Sequence, residues 1–365
     1  MLSGPLGLHT LVHPFVRRSS VVDSQELYSS KTSALEGFVL RRICDPILDR
    51  LPRTLNPNWL TLVNHVLCWA CLFFAAAAPS MAPVDALIAR SAAALLVFMC
   101  MLLDCLDGMH ARRTGQTSRV GEVLDHWLDG LNTPLNAAAM ALTLQLDPWT
   151  SAVVMVSMGM VYIVQLSVWH TTGKFLCPPT SGVDAQCLLS LSFLGAGVYF
   201  FVWPLDANRT AGEWVGLVFG WTCVATALKQ VFWFACRSSK ATLRGLVVNI
   251  VIFANAALYP LGLLSGIEAF VFIAIASFRV AGSYVLYTVL GRKYTGIDVP
   301  LILLLPLVSV TYHLAEPVTL GPYGLGDGLA LAAATLIGGL TIGELIAHFS
   351  ELRHLDRPDV AENHP

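Results

Sequence analysis

The amino-acid sequence predicts an all-α polytopic membrane protein with about ten transmembrane helices and an N-terminal amphipathic interfacial helix. Of its 365 residues, 55% are hydrophobic and only 13% are charged, whereas roughly 25% are charged in an ordinary soluble domain. The formal net charge of −2 provides no surplus of basic residues for binding phosphate backbones. We therefore expect no nucleic-acid partner.

The segment before the first apolar run has two predicted parts. Residues 1–27 show no regular apolar spacing, so we expect a flexible cytosolic N-terminus. Residues 28–54 predict an amphipathic helix in the membrane interface, because their apolar side chains share one helical stripe. The stripe comprises Leu35, Phe38, Val39, Ile43, Ile47, Leu48 and Leu51. A soluble helix packed on the loops is the alternative.

Ten apolar segments follow, and about 20 apolar residues are enough to cross a bilayer as a helix. We predict transmembrane helices at 58–78, 85–108, 122–146, 149–171, 187–205, 212–235, 244–264, 266–290, 297–315 and 327–348. The residues that follow, 349–365, are expected to form a cytosolic tail.

The distribution of Lys and Arg predicts the orientation of these helices. Basic residues concentrate in the N-terminus, in the loops after even-numbered spans and in the C-terminus, while the opposite loops contain Arg209 alone. Because loops rich in Lys and Arg remain in the cytosol, we expect both termini to be cytosolic.

An acidic pattern lies between the second and third spans. It has the form D-x2-D-G-x2-A-R-x8-G-x3-D-x3-D and runs from Asp104 to Asp129. Asp104 and Asp107 share one helix face, as do Asp125 and Asp129, so two antiparallel helices can direct all four carboxylates at one point. Such crowding in an apolar medium requires cations, and ligands that are all oxygen favour Mg²⁺ or Mn²⁺. We expect two ions, bound at the cytosolic end of the helices.

The other fixed residues of the pattern suit a phosphate ligand. Gly108 and Gly121 lack side chains where a helix or a diphosphate has to approach closely. Arg112 has a planar guanidinium that binds phosphate oxygens in a bidentate manner.

This pattern resembles the defining motif of the CDP-alcohol phosphotransferase family at every fixed position. Pro57-Asn58-x-x-Thr61 is similar to another family segment. The strings Asp107-Gly108-Met109-His110-Ala111-Arg112-Arg113-Thr114 and Gly121-Glu122-Val123-Leu124-Asp125-His126 resemble the choline and ethanolamine branch. Met109-His110, Trp127-Leu128 and Gly130 depart from that branch, and because they flank the acids they bear on the choice of substrate more than on the chemistry.

The resemblance implies a reaction in which a CDP-linked amino alcohol gives phosphocholine or phosphoethanolamine to diacylglycerol, forming a phospholipid and CMP. It also implies residue roles. Asp104, Asp107, Asp125 and Asp129 would bind the metal ions, and Asn58, Thr61, Gly108, Ala111, Arg112 and Gly121 would bind the CDP-alcohol. His126 would be the general base, with Asp129 as the alternative and Asp184 supporting His126.

Within this interpretation, residues 55–235 form the catalytic core and residues 236–348 the C-terminal transmembrane helices. The host membrane would be the endoplasmic reticulum or Golgi in a eukaryote and the inner membrane in a bacterium, and a homodimer is left open. One alternative is a transferase that uses CDP-diacylglycerol and a small polar alcohol. The other is a divalent-cation transporter, but that would place its acids near the bilayer midplane.

Three further expectations concern side chains around this site. The loops 172–186 and 236–243 are expected to cover it. His110 is expected to be a solvated loop residue. Arg279 lies within a span, where a cation is costly, so we expect it to pair with an acid or to reach a lipid phosphate.

Overall fold

The computed structural model describes residues 33–178, 182–203, 209–294, 306–307, 310–311, 314, 319–320 and 323–356. The predicted flexible segment 1–27, most of the predicted span 297–315 and residues 357–365 of the predicted tail lie outside these ranges. Within them the regular structure is helical, apart from one antiparallel pair of two-residue strands, β1 (Thr319–Leu320) and β2 (Tyr323–Gly324).

The described chain begins with a helix in three parts: α1 (Ala34–Val39), a π-helical turn (Leu40–Cys44) and α2 (Asp45–Leu48). Ser33 and Glu36 form a capping box that satisfies backbone N–H groups at the start of α1. The π-helical turn ends two residues before Pro46, which has no N–H to donate to the preceding turn.

One face of this N-terminal helix packs on the helices that follow. Val39, Cys44 and Leu48 are buried in a cluster with side chains of three later helices. Their partners are Leu60, Met101, Leu102, Leu106 and Val183. Leu35 and Phe38 remain exposed at 43% and 55%. The helix is therefore attached to the protein along one face, and its position in the membrane interface stays a prediction.

Nine long helices follow within the described residues. They are α3 (Asn58–Ala77), α4 (Pro83–Thr114), α5 (Arg119–Thr143), α6 (Pro148–Thr172), α7 (Gly182–Val202), α8 (Arg209–Ala235), α9 (Ser239–Leu258), α10 (Gly266–Val289) and α11 (Leu325–Leu355). Each coincides with one of the predicted spans. Seven helices in the described ranges are long and apolar enough to cross a membrane. These seven indicate a membrane protein, and the count of ten spans stays a prediction.

The acidic pattern lies on α4 and α5, and α3 packs against both of these helices. α4 packs against α3 and α7, while α5 packs against α3, α6 and α10. Near the acidic end of this bundle, Arg113 forms an ion pair with Asp49 at 2.5 Å, and the backbone N–H of Arg119 donates to Asp356 at 2.7 Å. The first and last described helices therefore both reach the end of the bundle that carries the acidic pattern.

A close contact joins α5 to α10. A Cβ atom placed on Gly282 would lie 1.9 Å from Cε2 of Trp127, and a Cβ on Gly130 would lie 2.3 Å from Cβ of Ala281. The indole N–H of Trp127 donates to the backbone oxygen of Phe278 at 3.1 Å. Trp127 and Gly130, two departures from the choline and ethanolamine branch, are thus explained by the packing of α10.

We expect Gly282→Ala to destabilise the protein, because the new methyl group overlaps the Trp127 ring. Overpacking of this kind costs about 1–3 kcal/mol, which a lower melting temperature of the detergent-solubilised protein would reveal. Gly195→Ala on α7 is the control, since no atom lies within 4 Å of the added carbon. A Gly282→Ala variant that melts like the wild type would contradict this packing.

Candidate active site

A short connection between α4 and α5 brings the two pairs of acids together. α4 ends at Gly115, whose backbone is in the left-handed region at φ 69° and allows the chain to reverse. Ser118 then begins α5 by accepting a hydrogen bond from the backbone N–H of Gly121 at 2.9 Å. Asp104 and Asp107 lie near the end of α4, and Asp125 and Asp129 lie near the start of α5.

The four carboxylates interact electrostatically with one another in the folded chain. Asp107 is buried, with 4% exposure, and accepts hydrogen bonds from the Thr61 hydroxyl at 2.6 Å and from the backbone N–H of Gly108 at 2.5 Å. Arg112 also interacts with Asp107. One guanidinium cannot balance four carboxylates, so the site has an excess of negative charge.

This excess of charge and the donor atoms fit divalent metal ions. Ligand atoms of Asp125, His126 and Asp129 lie within 4.8 Å of one another, so these three residues form a group that can hold a metal ion. Asp104 and Asp107 add carboxylate oxygens from the facing helix. Hard cations such as Mg²⁺ and Mn²⁺ prefer oxygen ligands of this kind.

The side chain of His126 is held by aromatic rings. Its imidazole stacks on Phe175 with ring centroids 4.6 Å apart and an interplanar angle of 8°, and meets the edge of Trp169 at 5.2 Å. Its Nδ1 lies 3.6 Å from a carboxylate oxygen of Asp125. The Tyr162 hydroxyl donates to the backbone oxygen of His126 at 2.5 Å. These contacts leave the ring little freedom to rotate.

Phe175 belongs to the loop that the sequence predicts to cover the site, and its stacking on His126 confirms that prediction for this residue. The side-chain amide of Gln165 on α6 donates to the backbone oxygen of Leu176 at 3.0 Å and so holds the loop. Sequence reasoning missed both Phe175 and Tyr162, because single aromatic residues in so apolar a chain have no distinguishing pattern.

The residues expected to bind the CDP-alcohol lie beside the acids. A Cβ on Gly121 would lie 3.0 Å from the side-chain oxygen of Asn58, so α3 and α5 approach closely at this point. A Cβ on Gly108 would lie 3.2 Å from Arg112 Nη1. Ala111 is partly buried on the same turn as Arg112, and Thr61 contacts Asp107. The arrangement brings these residues together, while their roles stay predictions.

His110 differs from its expectation as a solvated loop residue. It is 1% exposed, and its Nε2 bonds to the backbone oxygen of Leu55 at 3.0 Å. The side-chain amide of Gln116 donates to the backbone oxygen of Arg53 at 2.8 Å. Both side chains therefore hold the loop that leads into Asn58. His110 lies on a helix and not in a loop, because α4 continues past the predicted end of its span.

Asp184 lies at the start of α7, where it accepts a hydrogen bond from the Ser33 hydroxyl at 2.7 Å. It thus connects α7 to the cap of α1, and its support of His126 stays a prediction. Arg279 pairs with Glu344, which confirms the expected acidic partner. The Tyr287 hydroxyl donates to the other oxygen of Glu344 at 3.0 Å. This group joins α10 to α11.

A comparison with protein families agrees with the acidic pattern and the hairpin that carries it. The model of the CDP-alcohol phosphatidyltransferase family matches residues 54–227. Residues 54–227 are therefore similar to the CDP-alcohol phosphatidyltransferase domain. The matched segment runs from the loop before α3 into α8, and it contains every residue that the sequence predicts for metal binding, substrate binding or catalysis.

Curated proteins resemble parts of the chain. Over 112 residues, the chain is 32% identical to cholinephosphotransferase 1 of Saccharomyces cerevisiae, covering 29% of the chain and 28% of the relative. It is 34% identical to cholinephosphotransferase 1 of Gallus gallus over 110 residues, covering 30% of the chain and 33% of the relative. It is 29% identical to CDP-diacylglycerol–serine O-phosphatidyltransferase of Encephalitozoon cuniculi over 162 residues, covering 44% of the chain and 42% of the relative. The chain therefore spans less than half the length of each relative.

We expect Mn²⁺ to raise the melting temperature of the purified protein, because an ion that binds only the folded state stabilises it. Asp125→Asn and Asp129→Asn should each remove most of this rise by removing a ligand charge. Asp85→Asn, at an exposed position in the first turn of α4, is the control and should keep it. A full rise in both site variants would show that Mn²⁺ binds elsewhere.

Proposed function

We propose that this protein transfers phosphocholine or phosphoethanolamine from its CDP ester to diacylglycerol, forming phosphatidylcholine or phosphatidylethanolamine and CMP. The observation that carries the proposal is the pairing of four carboxylates with an adjacent, buried histidine. His126 lies beside Asp125 at 3.6 Å and is enclosed by Phe175 and Trp169. The resemblance to the choline and ethanolamine branch at Asp125-His126 and the two cholinephosphotransferase relatives support the choice of substrate.

Asp104, Asp107, Asp125 and Asp129 would hold two Mg²⁺ or Mn²⁺ ions, whose charge would neutralise the diphosphate and stabilise CMP as it leaves. Arg112 would bind phosphate oxygens through its planar guanidinium. Asn58, Thr61, Gly108, Ala111 and Gly121 would position the nucleotide. Gly108 and Gly121 suit this role because each has a polar side chain within 3.2 Å of the position that a Cβ would occupy.

His126 is the proposed general base. It takes the hydroxyl proton of diacylglycerol while that oxygen attacks the β-phosphorus of the CDP-alcohol. An imidazole is a stronger base than a carboxylate engaged with a metal ion, which favours His126 over Asp129. Asp125 would stabilise the protonated ring, and the stacked Phe175 would keep the ring in place and exclude water.

In the proposed arrangement, one substrate reaches this site from the cytosol and the other from the lipid bilayer. The acidic ends of α4 and α5 face the cytosol, from which the water-soluble CDP-alcohol enters. Diacylglycerol arrives within the bilayer, with its hydroxyl at the depth of the headgroups. The host membrane would be the endoplasmic reticulum or Golgi in a eukaryote and the inner membrane in a bacterium.

A second candidate is a transferase that joins CDP-diacylglycerol to a small polar alcohol. The similarity to the CDP-diacylglycerol–serine O-phosphatidyltransferase over 162 residues favours it. The resemblance at Asp125-His126 favours the first candidate, because it matches the branch whose acceptor is a lipid.

Release of CMP from purified protein distinguishes the candidates. We expect CMP from CDP-choline or CDP-ethanolamine with diacylglycerol, and no CMP after chelation of divalent metal. CMP release only from CDP-diacylglycerol with serine, inositol or glycerol phosphate would support the second candidate instead. Release from CDP-choline that persists fully under chelation would contradict the metal site.

We expect His126→Ala to lower kcat by about 10²- to 10⁴-fold, the usual contribution of a general base. The KM for the CDP-alcohol should change little, since the substituted side chain acts on the acceptor hydroxyl. Steady-state CMP release measures both constants. Because His126 belongs to the group that can hold a metal ion, an unchanged Mn²⁺-induced rise in melting temperature is expected for a base, and loss of that rise would make His126 a metal ligand instead. Normal turnover by this variant would assign the base to Asp129.

A further inference from the structure

A line of hydrogen bonds runs from Asp129 on α5 to the outer face of α3. The side-chain amide of Asn132 donates to Oδ1 of Asp129 at 3.4 Å. Nδ1 of His65 lies 2.7 Å from Oδ1 of Asn132. The indole N–H of Trp69 donates to Nε2 of His65 at 3.1 Å. Two side chains, Asn132 and His65, thus join a proposed metal ligand to a tryptophan that is 45% exposed.

The chemistry of the partners fixes the direction of every bond in this line. An indole N–H can only donate, so Nε2 of His65 must accept. The neutral imidazole then carries its proton on Nδ1 and donates it to the Asn132 oxygen. That leaves the NH₂ group of Asn132 facing Asp129, whereas the reversed amide would place its oxygen against a carboxylate. One tautomer and one amide orientation therefore satisfy all three contacts.

The face of α3 that carries His65 also forms a hydrogen bond to α4. Thr61 and His65 are four residues apart, so they lie on one side of α3. Thr61 donates directly to Asp107 on α4 at 2.6 Å, while His65 reaches Asp129 on α5 through Asn132. α3 therefore contacts one carboxylate from each acidic pair, directly in one case and through an amide in the other.

The polar side chains of this line lie among apolar helices, where burying them has a free-energy cost. Asn132 is 7% exposed, and His65 is partly buried beside apolar helices. Buried polar groups destabilise a protein unless they are hydrogen-bonded, and apolar side chains would fill the same space without that requirement. The line ends on a carboxylate of the site, which points to a role in holding that carboxylate.

We propose that His65, acting through Asn132, is a positioning residue that holds Oδ1 of Asp129 and leaves its other oxygen for a metal ion. Trp69 keeps His65 in the required tautomer. This role rests on the proposed function for its effect on turnover, but its effect on metal binding can be measured separately. Partners of this kind, one step removed from a ligand, typically contribute about 10- to 100-fold to metal affinity or activity.

The test compares two substitutions of His65. His65→Phe keeps a ring but removes the donor, and His65→Asn places an amide N–H close to the position of Nδ1. We expect His65→Phe to weaken Mn²⁺ binding by about 10-fold or more and to lower kcat with little change in the KM for the CDP-alcohol. We expect His65→Asn to restore most of the binding. Electron paramagnetic resonance of free Mn²⁺ with purified protein measures affinity without turnover.

The double variant provides a second test of the line. Asn132→Leu should weaken Mn²⁺ binding as His65→Phe does, and the two together should be no worse than either alone, because both interrupt one path. Effects that add in the double variant would overturn the proposal. So would wild-type affinity in His65→Phe, or equal losses in His65→Phe and His65→Asn, which would indicate a packing role.

The outcomes also separate this proposal from the proposed function. If the wild type binds Mn²⁺ but releases CMP from none of the tested substrates, the proposed function fails and the binding measurements still decide the role of His65. If the wild type does not bind Mn²⁺, the positioning role fails as well.

Discussion

Repulsion among Asp104, Asp107, Asp125 and Asp129 is the constraint on which the arrangement of α3, α4 and α5 depends. Four like charges within an apolar bundle oppose the packing that brings them together, so other contacts must hold the helices in place. The left-handed turn at Gly115 reverses the chain between α4 and α5, and Thr61 of α3 donates to Asp107. His65 of α3 reaches Asp129 indirectly, through Asn132. Bound divalent cations would remove the remaining repulsion, which couples the stability of this region to metal binding.

Local spacing was enough to predict the centre of the site. Intervals of three and four residues place each pair of acids on one helix face, and the structure brings the two pairs together. Gly121 was predicted at a point of close approach, and Asn58 of α3 does lie against it, whereas the neighbour of Gly108 is Arg112 on its own helix, so close approach at Gly108 stays a prediction. The hydrophobic segments likewise predicted the nine long helices of the described residues, because the length of an apolar run is itself a local property.

Contacts between distant segments could not be predicted in this way. His65 and Asn132 are 67 residues apart, and neither belongs to the acidic pattern. Phe175 meets His126 only because the loop after α6 folds back over α5. His110 was expected to be solvated in a loop, yet it is buried and bonds to the backbone oxygen of Leu55. In each case the partner is set by how helices pack, which a single sequence does not encode in short intervals.

The contact between Trp127 and Gly282 crosses a boundary of the family comparison. Trp127 lies in the matched segment 54–227, whereas Gly282 and Phe278 lie beyond it on α10. A fragment ending near residue 227 would leave a large indole and its N–H without their partners, one residue away from His126. α10, which lies beyond the matched segment, therefore supplies packing and a hydrogen-bond acceptor to the residue that directly follows His126 in the candidate site.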